Sequence, residues 1–199
     1  MKILNLFPTP VLSILLKDIS DFLIKEYIEE CSKIKYINEG ATGFTSNNQQ
    51  VLNISAFKIL KKNILNYASL YLKEMSHEFE ELQISNSWVN LLNQHQSIPP
   101  HKHYNSYISG VFYLTNGSPI NFFHPSSFSE NNIKPNYLDS PTFYPVEEKI
   151  TTQKGLLLIF PSYLEHSVYA SDIDGRISIA FNIIPKGEFG PPTAKLYLK

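Results

Sequence analysis

Between residues 84 and 184 the chain breaks into short apolar or alternating runs separated by turn residues, at 84–93, 107–115, 120–124, 146–152, 156–160, 166–169 and 176–184. Short strands at this spacing leave an all-β sandwich or jelly roll as the fitting architecture. Ahead of them lie two runs with helical periodicity. One covers 20–35, capped by Asp18 or Ser20, with Phe22, Ile24, Tyr27, Ile28 and Cys31 on one side. The other covers 56–80, with Ser55 as its cap and Ile59, Leu60, Ile64, Leu65, Tyr67, Leu70, Tyr71 and Met75 as its stripe. An opening strand is expected at 7–16, with Pro8 and Pro10 at its edge. The polar stretch 38–53 reads as a loop, a lid or a short irregular strand. The stretch 125–145, rich in Ser, Asn and Pro, is too long for a hairpin turn and reads as a functional or partly disordered loop. Together these predict one domain, with helical support at about 1–83, a β core at 84–185 and a tail at 186–199.

Charge narrows the partners. The net charge is -1 and no basic run occurs, which argues against a nucleic-acid or membrane surface and for a small-molecule or peptide substrate. No stretch reaches the roughly 18 apolar residues of a membrane span, and the apolar start is interrupted by Pro8 and Pro10. Cys31 is the only cysteine, so no internal disulfide can form. A reducing, cytoplasmic setting is the expectation. Sixteen lysines stand beside a single arginine, Arg176. A chain that uses lysine elsewhere but puts its one guanidinium inside a strand calls for the two-pronged donor there.

Chemistry concentrates in four places. In Pro99-Pro100-His101-Lys102-His103, period-two alternation turns His101 and His103 to one face, where two imidazoles can share a metal. His166 follows an apolar strand and a turn; a metal ligand or a buried histidine bonded to backbone both suit it. The segment from Gly175 to Ile183 alternates strictly. Arg176, Ser178, Ala180 and Asn182 share one face, and Ile177, Ile179, Phe181 and Ile183 the other. Arginine beside serine on the small face of an apolar strand suits a bound carboxylate. The Ile/Phe face is expected to pack on the helices. On the strand at 107–114 the inward set is Tyr107, Ser109, Val111 and Tyr113, and the Tyr113 hydroxyl either joins the same carboxylate or rests in the core. Asn90 is a further candidate, and Trp88 reads as core. His95 and His124 read as loop residues or as the rim of a site, and His77 as the end of a helix.

The succession His-x-His, Ser-Gly-Val-Phe-Tyr-Leu, Leu-Ile-Phe-Pro-Ser, a distal His and Arg-x-Ser ten residues later resembles the 2-oxoglutarate and iron(II) dependent oxygenase superfamily. It looks closest to its branch of small putative oxygenases from bacteria and phages. The resemblance covers about 87–184, with the opening Phe-Pro-Thr-Pro as weaker support. It implies a double-stranded β-helix with helices on one outer face. It further implies iron(II) on His101, His103 and His166, with 2-oxoglutarate held by Arg176, assisted by Ser178 and Tyr113. The implied reaction is oxidation of a substrate C–H bond coupled to decarboxylation of the keto acid to succinate. One departure stands out: the superfamily has a carboxylate where this chain has His103. A register using His103 and Asn105 instead of His101 and His103 is the alternative. Two other readings remain open: a three-histidine dioxygenase that needs no keto acid, and a β-sandwich structural module without metal.

Overall fold

The computed structural model describes residues 8–125, 147–170 and 173–198. The expected loop at 125–145 lies outside them beyond Pro125. Twelve strands and two helices are formed by the described residues, joined by three short 3-10 turns. The strands are β1 (Leu12–Leu15), β2 (Tyr36–Asn38), β3 (Phe44–Ser46), β4 (Glu81–Leu92), β5 (Ile98–His101) and β6 (Ile108–Tyr113). They continue with β7 (Gly117–Phe123), β8 (Glu147–Thr152), β9 (Leu156–Pro161), β10 (His166–Val168), β11 (Arg176–Phe189) and β12 (Leu196–Leu198). The helices are α1 (Asp21–Ser32) and α2 (Lys58–Glu74).

Two antiparallel sheets face each other as a jelly roll. The larger runs β1-β9-β6-β11-β4-β3-β2, with β12 on the end of β11, and the smaller runs β5-β10-β7-β8. Between them lies an inner core of Val111, Tyr113, Leu156, Leu158 and Phe160 from the large sheet and Ile120 and Phe122 from the small one. A second, larger core fills the space between the outer face of the large sheet and the helices. There Phe112, Leu157, Ile159, Ile179, Phe181 and Ile183 meet Ile24, Tyr27, Leu60, Ile64 and Leu72. The expected helix-on-one-face jelly roll is thus formed, and β11 lies at the centre of the large sheet, its outer face in the helix-covered core and its inner face turned to the space between the sheets. Gly110 is needed at its crossing point: a Cβ there would collide with the Phe181 ring and the Leu158 carbonyl.

Several boundaries differ from expectation. α1 begins as predicted, with Ser20 Oγ accepting from the Leu23 amide. Ser55 does not cap α2, because residues 55–57 form a separate 3-10 turn with no side-chain cap. The second helix stops at Glu74 rather than 80; Ser76 adopts φ 59°, and the His77 amide closes back on the Leu72 carbonyl. Of its expected stripe Ile59 and Leu70 face solvent and Leu60, Ile64 and Tyr71 are buried, joined by Ala68 and Leu72 outside the stripe. Of the readings of 38–53 the short strand is the one formed: β3 lies within it, makes a hairpin with β2 and pairs with β4. The tail at 186–199 also gains structure, because β11 runs on to Phe189 and turns back into β12.

Candidate metal centre

β10 lies between β5 and β7, in a register that sets His166 directly opposite His101. His103, two residues past the β5 partner position, donates its backbone amide to the Ser162 carbonyl and comes to rest over the same point. The three rings cluster, with centroids 4.3 Å apart for His101 and His166, 5.0 Å for His103 and His166, and 5.3 Å for His101 and His103. One nitrogen from each falls within 4.8 Å of the others. Phe160 and Phe122 pack against His166 from the inner core, and Trp88 lies against His103. Trp88 is therefore half-buried in a cavity wall rather than in the core.

Hydrogen bonds give each ring the same tautomer. His101 Nδ1 lies 2.9 Å from the Pro99 carbonyl, His166 Nδ1 lies 2.9 Å from the Leu164 carbonyl, and His103 Nδ1 lies 2.5 Å from Asn182 Oδ1. All three acceptors are oxygens, so each Nδ1 carries the hydrogen and each Nε2 keeps a lone pair. Burial favours the neutral form. It lowers the pKa of His166 to about 3, helped by the neighbouring His101, and lowers that of His103 against the opposing pull of the Asn182 bond. Three clustered imidazoles, each with its Nδ1 hydrogen engaged and Nε2 left free, are a donor set for a borderline divalent cation. Asn105, the alternative partner of His103, sits at φ 54° in the turn that follows and is not among the residues lining the cavity.

Beside the triad is a cavity of about 280 Å³, lined by all three histidines and by Trp88, Asn90, Tyr113, Arg176 and Ser178. Backbone pairing explains this grouping. Ser178 is opposite Tyr113 on β6 and Asn90 on β4, so the four polar candidates lie on three adjacent strands. Arg176 is 2% exposed, and its guanidinium stands 5.1 Å from the Tyr113 ring. Its one hydrogen bond among described groups is a long 3.4 Å contact from Nη1 to Ser178 Oγ, and no described carboxylate pairs with it. Arg176 Nε and the Tyr113 hydroxyl are buried without a hydrogen-bond partner. Burial pushes Tyr113 up to about 12, with the guanidinium pulling the other way. Gly117 makes room for the arginine stem: a Cβ there would lie 2.6 Å from Arg176 Cγ. A buried cation and a buried hydroxyl left without acceptors fit an anionic guest, which would satisfy both at once.

His95 and His124 are not among the residues lining this cavity, and His77 bonds the Tyr107 hydroxyl well beyond the end of α2. Three lining residues went unmarked in the sequence. Glu39, Thr42 and Thr45 reach the cavity from the β2–β3 hairpin, where Thr45 Oγ1 contacts both Glu39 and Asn90. Glu39 and Thr42 lie in the turn between β2 and β3 and Thr45 on a three-residue strand, so none carries a periodicity that could be read.

Residues 86–182 match a family described as putative 2OG-Fe(II) oxygenase. No curated protein matches the chain. Among solved structures, HygX from Streptomyces hygroscopicus, crystallised with nickel and 2-oxoglutarate, is similar with a TM-score of 0.60 at 12% identity, over 89% of this chain and 83% of that one. A prolyl-4-hydroxylase from Pseudomonas putida aligns with a TM-score of 0.60 at 12% identity, over 90% and 94%. A 2OG-Fe(II) oxygenase family oxidoreductase from Burkholderia pseudomallei aligns with a TM-score of 0.59 at 12% identity, over 87% and 83%. At this identity the likeness is one of fold.

Proposed function

From the match of residues 86–182 to the 2OG-Fe(II) oxygenase family, we propose that the chain is a 2-oxoglutarate-dependent dioxygenase with iron(II) on His101, His103 and His166. The observation that carries this reading is the buried guanidinium of Arg176, with Nε unpartnered and no described carboxylate beside it, in the cavity that the three histidines line. When bound, iron(II) and 2-oxoglutarate would supply the oxidising chemistry together with dioxygen, one oxygen atom of which would enter the succinate formed with loss of carbon dioxide and the other the substrate C–H bond.

The chain's own residues have three tasks. Arg176 grips the distal carboxylate of the co-substrate, and the Ser178 and Tyr113 hydroxyls donate to the same group. Asn90 borders that pocket on the β4 side. Phe122 and Phe160 keep water from the His166 side of the triad, and Trp88 covers His103. The open side faces Glu39, Thr42 and Thr45, where a peptide side chain or a small metabolite presents the C–H bond to be hydroxylated.

The neutral triad itself favours a second reading, a three-histidine dioxygenase that takes its substrate directly on the metal. Succinate formation separates the two. Under iron(II), the wild-type protein is expected to convert 2-oxoglutarate to succinate. Arg176→Ala is expected to bind the co-substrate far more weakly at nearly intact metal content, and His166→Ala to lose the metal. Equal turnover by wild type and Arg176→Ala would remove the assigned role, and failure of 2-oxoglutarate to bind at all would favour the second reading.

A further inference from the structure

Two of the three histidines are oriented by backbone and one by a side chain. His101 and His166 each direct Nδ1 at a carbonyl two residues earlier, a bond that their own strands supply. His103 has no such carbonyl. Its Nδ1 meets Asn182 Oδ1 on β11, 79 residues away in sequence.

Asn182 is held in its turn. Ser109 Oγ donates to the same Oδ1 at 2.7 Å, Ser106 donates to the Ile108 carbonyl at 2.9 Å, and Ser162 Oγ lies 2.8 Å from both of these hydroxyls, its one hydrogen serving one of the two contacts. Asn182, Ser109 and Ser162 are all buried. Burying an amide and two hydroxyls is unfavourable unless they are paired, and a paired network of this kind holds one arrangement. This one starts on backbone and ends on an imidazole.

We propose that Asn182, backed by Ser109 and Ser162, is the positioning residue that sets the ring plane and tautomer of His103 and so completes the metal site. The proposal rests on the reading of His103 as a ligand. Oδ1 has only lone pairs to offer, so Nδ1 must bring the hydrogen and Nε2 is left free for the metal. An amide turned the other way would present its NH2 group, protonate the ring at Nε2 and remove the ligand. The acceptor is also uncharged. With no carboxylate among the ligands or behind this one, both charges of a divalent metal remain to attract an anionic co-substrate.

Cobalt(II) titration of metal-free protein tests this, because the visible spectrum of bound cobalt reports ligand number and geometry as well as affinity. Asn182→Leu, close in shape but without an acceptor, is expected to weaken cobalt binding by about 10- to 100-fold and to alter the spectrum. Asn182→Asp restores the acceptor and is expected to bind like wild type. Ser109→Ala leaves the His103 bond in place but loosens its far side, and is expected to show a smaller loss. His103→Ala separates the two layers of the argument. If it binds cobalt as wild type does, His103 is no ligand and the underlying reading fails. If it loses the metal while Asn182→Leu keeps wild-type affinity and spectrum, the reading stands and the positioning role is overturned. Should Asn182→Leu fail to fold, an unchanged affinity and spectrum in Ser109→Ala overturns the role instead.

Discussion

The two faces of β11 are built from the same backbone and do opposite work. Ile177, Ile179, Phe181 and Ile183 look outward to the helices, and the last three are fully buried among apolar side chains. Arg176, Ser178, Ala180 and Asn182 look inward, also buried, and three of the four are polar. Burial alone therefore does not distinguish them. The outer face gains by excluding water, whereas the inner face keeps polar atoms waiting for partners, as Arg176 Nε shows. The contrast teaches that the outer face supplies the stability that the inner face spends on binding.

If that division holds, substitutions on the two faces should separate stability from binding. The largest effect expected on the inner side is acid lability of the metal-free protein. His166 has a folded pKa of about 3 and an unfolded one near 6.5, so between those values only the unfolded chain takes up the proton. Stability is fully present above about pH 6.5 and falls as the pH drops toward 3, by an amount on the order of 4 kcal/mol. Urea unfolding of chelated protein across that range should show the loss, and His166→Ala should flatten it. On the outer face, Phe181→Ala is expected to cost about 3–5 kcal/mol of unfolding free energy while the folded fraction still binds one metal. Metal loss without destabilisation would break the contrast.

Arg176→Met reverses that pattern. It should reduce 2-oxoglutarate affinity by roughly 2–5 kcal/mol in calorimetric titration of metal-loaded protein, yet leave the unfolding of unliganded protein unchanged or raise it, since an unpaired buried charge is removed. Gly117→Ala sharpens the comparison by touching both properties. Its Cβ would lie 2.6 Å from Arg176 Cγ and 2.7 Å from Cδ. It should cost about 1–3 kcal/mol of stability and displace the guanidinium, weakening co-substrate binding as well. Ser178→Ala is the smallest change, with a loss of about 1 kcal/mol in co-substrate binding and none in metal affinity.

Much of this division was legible in the sequence because a strand's period of two is rigid. The alternation from Arg176 to Ile183 and from Ile108 to Leu114 assigned faces before any contact was known, and His101 and His103 were placed on one face by the same rule; Tyr107, expected inward, precedes β6 and instead packs exposed against His77 and Phe79. What alternation cannot supply is which strands become neighbours. The Asn182 bond to His103 depends on β11 pairing with β6, and it lies beside the register shift between Asn182 and Ile183 against β4. Composition misled at the end of α2, where the apolar spacing continues from Met75 to Phe79. That ring instead packs edge-on against Tyr107 and Phe189, 5.1 and 5.6 Å away, after the chain has left the helix. The polar content of 38–53 left β3 as one reading among three, and its Ser46 hydroxyl is buried and accepts from the Val89 amide.

The central claim is that three imidazoles and one arginine serve a single bound pair of ligands. Titrating 2-oxoglutarate into protein with and without nickel(II), in wild type and Arg176→Met, tests it most directly. One equivalent of tight binding is predicted in the nickel-loaded wild type, with a sharp loss when either the metal or the guanidinium is removed. Binding indifferent to both would contradict the account.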